Sequence, residues 1–69
     1  MTSYLVQEAI GGIMKLEKGF DDYASAFRFF KALSRGTGSE PKDVWLVEYD
    51  GDAHEEFELA HKAIEGNDL

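Results

Sequence analysis

The stretch 50–66, DGDAHEEFELAHKAIEG, decides the fold, because its reading sets how much helix covers the sheet. Asp52 and Glu55 have the spacing of a capping box, with Asp in place of Ser or Thr, and Gly66 suits a helix C-terminal cap. Between them Ala53, Phe57, Ala60 and Ile64 recur at helical intervals and form an apolar stripe. The spacing predicts a second helix over Ala53 to Glu65, entered by a turn at Asp50-Gly51-Asp52. On that helix His54, Glu58, His61 and Glu65 line one side, and Glu58 and His61 have the spacing used in carboxylate metal sites. One helix supplies too few converging ligands, so these residues are read as an exposed polar flank and no metal is expected.

Working outward, Asp43 to Tyr49 (DVWLVEY) reads as a strand with Trp45, Val47 and Tyr49 on one face and Val44, Leu46 and Glu48 on the other. Before it, Gly36-Thr-Gly-Ser-Glu-Pro41 breaks a first helix over Asp21 to Arg35, which has Asp residues to cap its start and Lys31 and Arg35 near its end. Tyr23, Ala26, Phe27, Phe29, Phe30 and Leu33 form the apolar arc of that helix, with Phe29 at its edge as a candidate contact residue. Nearer the start, Tyr4 to Ile10 and Ile13 to Glu17 are two short strands joined by Gly11-Gly12, a turn that sets Ile10 opposite Ile13 and Glu8 opposite Lys15.

The expected architecture is α+β: one domain over residues 1–69 in the order ββαβα. Its three-stranded antiparallel sheet has strand order 2-1-3, with two helices packed on it. A sheet with one covered face would leave Tyr4, Val6, Ile10 and Ile13 exposed, which favours a dimer; the chain is expected to be a monomer or a homodimer.

The chain has 69 residues, of which 43% are hydrophobic and 13% aromatic, too apolar for disorder. It has no cysteine, which excludes thiol catalysis, Cys-ligated zinc and iron–sulfur clusters. No basic leader with an apolar core opens it and no apolar run approaches about 18 residues, so it is expected to be soluble, cytoplasmic and free of membrane contact. Gly36-Thr-Gly38-Ser follows a helix, whereas phosphate-cradling loops follow a strand. Ser25, Ser34 and Ser39 have no nucleophile elbow around them, so no enzyme and no cofactor is expected. Lys15, Lys18, Arg28, Lys31, Arg35 and Lys42 are scattered among acids, which argues against direct nucleic-acid binding.

The formal net charge of -7 is unevenly placed: residues 1–47 hold six acids and six bases, whereas 48–69 hold eight acids against Lys62 alone. Glu48, Asp50, Asp52, Glu55, Glu56 and Glu58 fall within eleven residues and are the candidate partner-binding site. Asp52, Glu55 and Glu56 gain from a helix N-terminus, but Glu58 lies beyond that turn. On a helix these carboxylates would repeat about every 5.4 Å along the axis, a spacing of the order of that between phosphates.

Small size, absence of cysteine, ββαβα order and the acid-rich segment EYDGDAHEEFELAHKAIEGND together resemble the small acidic proteins that bacteriophages use against host defences, the anti-CRISPR proteins among them. The resemblance lies in size, order and charge, and no residue motif is carried over. It implies a non-catalytic inhibitor of a host nucleic-acid-binding defence effector, a CRISPR complex, bound through a DNA-mimicking acidic face. The alternative is a small interaction or regulatory adaptor that binds a protein partner through an apolar helix or sheet patch.

Overall fold

Gly11 and Gly12 have φ of 61° and 83°, the left-handed pair that a two-residue hairpin turn requires. They join β1 (Thr2–Ile10) to β2 (Ile13–Phe20) with Ile10 opposite Ile13, as the turn predicts. Glu8 lies opposite Leu16 and not Lys15, because a bulge shifts the register between Glu8 and Ala9. The carboxylate of Glu8 instead takes Lys42 as its ion-pair partner, at 2.8 Å. The computed structural model describes residues 1–35 and 40–65; the sequence break over 36–39, the cap assigned to Gly66 and the acid Asp68 lie outside the described residues.

Helix α1 (Tyr23–Leu33) starts where Asp22 accepts a 2.8 Å hydrogen bond from the Ser25 backbone N–H. That bond, followed by one from the Ser25 side chain, holds the Asp22 carboxyl below its usual value of 3.8. At the other end Ser34 donates its backbone N–H and its hydroxyl to the Phe30 carbonyl, at 2.9 and 2.7 Å. The helix is shorter at both ends than the Asp21 to Arg35 span read from the sequence.

The second predicted helix does not exist. After β3 (Lys42–Asp50) the chain turns over 51–54 and returns as β4 (Glu55–Ile64), antiparallel to β3. Among the described residues the sheet therefore has four strands in the order β2-β1-β3-β4, with one helix, in place of three strands and two helices. Two local causes decide it. Asp50 Oδ1 accepts the backbone N–H groups of Asp52 and Ala53, at 3.0 and 3.3 Å, so Asp50 supplies the cap expected of Asp52 and does so for a turn. His54 then takes a left-handed φ of 54°, which stops helical propagation before Glu55. The wider cause is β3, whose second row of backbone donors and acceptors needs a neighbouring strand to be satisfied.

Val6, Val44 and Leu46 are fully buried beneath Ala26 and Phe30 of α1, with Tyr4, Phe20, Phe27, Phe29, Leu33 and Ala60 packed around them. Full burial of an aliphatic side chain contributes about 1.5–3 kcal/mol, so these three residues anchor the sheet to the helix. Tyr4 and Val6, expected on the open face, lie under α1. Ile13 is 61% exposed at the end of the first hairpin. The opposite sheet face, with Leu5, Ala9, Trp45, Val47 and Tyr49, has no helix on it among the described residues. Among the described residues no helix is long and apolar enough to cross a membrane.

Candidate functional site

The six acids read from the sequence occupy one hairpin. Alternation along β3 sets Glu48 and Asp50 on the α1 side of the sheet, in line with Val44 and Leu46. On β4, Glu55 lies opposite Asp50, Glu56 opposite Tyr49 and Glu58 opposite Val47. Glu55 thus shares the α1 side, and Glu56 and Glu58 the back. The acids surround the end of the hairpin on both faces and do not form the single helical row expected of them. Neighbours on one face of a strand, such as Glu56 and Glu58, stand about 6.8 Å apart along it, not one helical turn apart.

Asp52, Glu55, Glu56 and Glu58 are exposed, while Glu48 and Asp50 are half-buried. Among the described residues the one ion pair these six make joins Asp52 to the Met1 ammonium. The hairpin end is pinned by Asp50 within the turn and by Tyr49, whose hydroxyl lies 3.1 Å from His54 Nδ1. Phe57 sits among the acids, opposite Glu48, and is half exposed. Charge and one open aromatic ring are thus presented together on a fixed backbone.

His54 and His61, placed on one helix flank by the sequence reading, are separated: His54 is in the turn and His61 on β4. His61 stacks on Trp45, with ring centroids 5.1 Å apart and planes 8° from parallel, and its Nε2 lies 3.0 Å from Asp43 Oδ1. Among the described residues no group of three His, Cys, Asp or Glu side chains is arranged to hold a metal ion.

Comparison with protein-family models, curated proteins and solved structures finds no match.

One site escaped the sequence reading. Phe27, Phe30 and Ala60 floor a groove of about 340 Å³ between α1 and β4, and Lys31, Arg35 and Lys62 stand along it. These are three of the seven Lys and Arg residues of the chain. Lys31 and Arg35, one helical turn apart, were a readable pair; Lys62 joins them only once residues 55–64 are a strand. Phe29, the candidate contact residue, instead packs its ring 5.5 Å from that of Phe20, beneath the Lys18 ammonium.

Proposed function

We propose that this chain is a non-catalytic inhibitor acting in the cytoplasm. It docks its acidic β3–β4 hairpin into the basic groove of a host nucleic-acid-binding defence effector, a CRISPR complex by the resemblance noted above. The observation that carries the reading is the direct opposition of Asp50 and Glu55 within a hairpin that concentrates six carboxylates. Like charges in opposed positions destabilise a sheet, and Asp50 is accounted for by the turn it caps, so the fold of one chain gives no reason for Glu55 opposite it, whereas a cationic partner does. The same-face step of about 6.8 Å spans two nucleotide steps of about 3.4 Å each, which suits a groove lined by Lys and Arg for phosphates.

The test is capture from bacterial lysate at low and high salt, comparing the wild-type chain with a variant carrying Glu55→Lys, Glu56→Lys and Glu58→Lys. A nucleic-acid-binding complex held at low salt, released at high salt and absent with the variant supports the proposal. Capture of a salt-resistant partner by both chains supports the second reading, a protein-binding adaptor, which the groove beside Phe27, Phe30 and Ala60 favours.

A further inference from the structure

β4 is an edge of the sheet, ten residues long and free of proline. Such an edge presents a row of backbone donors and acceptors ready for another strand. Among the described residues helix α1 packs on β1, β2 and β3 but not along β4, whose α1 side is covered only at Ala60. Phe57 is 50% exposed on that side, and Leu59, at the bulge between Glu58 and Ala60, is 44% exposed. We propose that a second copy of this chain covers this edge. The two β4 strands run antiparallel along their whole length, Glu58 of one protomer opposing His61 of its partner.

The register argument rests on the bulge. Glu55 and Phe57 lie opposite even-numbered residues of β3, as do Ala60, Lys62 and Ile64, and all five share the α1 side. Glu56, Glu58, His61 and Ala63 lie opposite odd-numbered residues and share the back. Leu59 is the extra residue that exchanges odd for even between the two halves of β4. Overlapping this strand end to end with an antiparallel copy pairs Glu55 with Ile64, Glu56 with Ala63, Phe57 with Lys62 and Glu58 with His61. In a regular ten-residue strand each such pair would point to opposite faces, and the pairing would fail. Here every one of these pairs falls on a shared face, and the outward-pointing backbone groups match by the same parity.

Charge selects the same arrangement. The first half of β4 carries Glu55, Glu56 and Glu58, and the second half carries His61 and Lys62. Antiparallel pairing lays the acidic half of each protomer on the other half of its partner. Glu58 meets His61, Glu55 is diagonal to Lys62, and the Lys62 ammonium stands beside the Phe57 ring. A parallel pairing would set Glu against Glu. His61 donates Nε2–H to Asp43, and in its imidazolium form it has a second N–H, at Nδ1, for the incoming carboxylate. Phe57 of the partner, opposite Lys62, then extends the floor made by Phe27, Phe30 and Ala60, along which Lys31 and Arg35 stand. The product is an isologous dimer with one eight-stranded sheet, whose two turns, carrying Asp50 and Asp52, stay free at opposite ends, while Glu55, Glu56 and Glu58 lie in the seam, so that a basic partner and the second copy compete for them.

The chain has no cysteine, so single cysteines read the register directly. Opposed residues in an antiparallel pair have Cα atoms about 4.5–5.5 Å apart, within disulfide range. Oxidising a mixture of Glu58→Cys and His61→Cys chains is expected to give a disulfide-linked heterodimer, with no comparable product from either variant alone. Sedimentation should show a dimer for the wild type, weakened about ten-fold in dissociation constant by Glu58→Lys. Mixing Glu58→Lys with His61→Glu chains should restore association, and unchanged far-ultraviolet circular dichroism verifies that each variant folds. A monomeric mass at millimolar concentration, or equal cross-linking in every sample, overturns the proposal.

Discussion

Asp50 and Glu55 stand directly opposite each other at the end of the β3–β4 hairpin, both on the α1 side of the sheet. Asp50 is engaged with the backbone of the turn, so Glu55 is the one to change. At concentrations where the chain is monomeric, Glu55→Lys is predicted to stabilise the fold by about 0.2–1 kcal/mol in urea denaturation while weakening capture of the basic partner. A variant that is less stable, or that is more stable and still captures its partner undiminished, contradicts the role given to this pair.

Leu46 and Val47 are neighbours on β3 that face opposite sides, the first fully buried under α1 and the second 7% exposed on a face with no helix. Leu46→Ala is predicted to cost about 2–5 kcal/mol, a large part of the roughly 3–10 kcal/mol available to a chain of this length. Val47→Ala removes less volume and lets water fill the space, so its cost in the same denaturation assay should be at most half as large.

The sequence was legible wherever one local signal pointed one way. Gly11-Gly12 specified its hairpin, Asp22 its cap, and the alternation from Val44 to Tyr49 its two faces. Residues 53–64 carried two compatible patterns. Ala53, Phe57, Ala60 and Ile64 fit a helix, and the strand alternation that competes with them is interrupted at Leu59 by the bulge. The Asp50-capped turn and the unpaired side of β3 together decide between the two, and the second is a property of the assembled sheet. The acidic residues were found by composition, but their arrangement about both faces of a hairpin follows from β4 and was hidden with it.

Asp22 supplies a pH dependence whose sign is fixed. Its carboxyl ionises more readily in the folded chain, so the cap's contribution is fully present above the ordinary value of 3.8 and is lost as pH falls through the lower folded value. Asp22→Asn keeps an acceptor for the Ser25 N–H without a charge. Thermal unfolding midpoints followed downward from pH 5 should fall more steeply in the wild type than in Asp22→Asn. Parallel curves would remove Asp22 from the acid response.

The two turn glycines should respond differently. A side chain at Gly11 would meet Glu40 Oε2 at an ordinary 3.5 Å, and Asn tolerates its φ of 61°. Gly11→Asn is predicted to stabilise by up to about 1 kcal/mol, because it restricts the unfolded chain. At Gly12 there is open space but a φ of 83°, so Gly12→Val should cost about 1–2 kcal/mol from the backbone alone. Chemical denaturation of both variants checks the contrast.

The order β2-β1-β3-β4 puts the first strand of the chain in the middle of the sheet, paired on one side with β2 and on the other with β3. During synthesis β1 can close its hairpin at once, but its second side has no mate until Lys42 to Asp50 leave the ribosome. At about 5–20 residues per second, the 40 positions from Ile10 to Asp50 take roughly 2–8 s. Throughout that interval Val6 and its neighbours are open to any passing strand. The nascent chain is therefore most vulnerable to aggregation, and most dependent on chaperones, before its second half has been made.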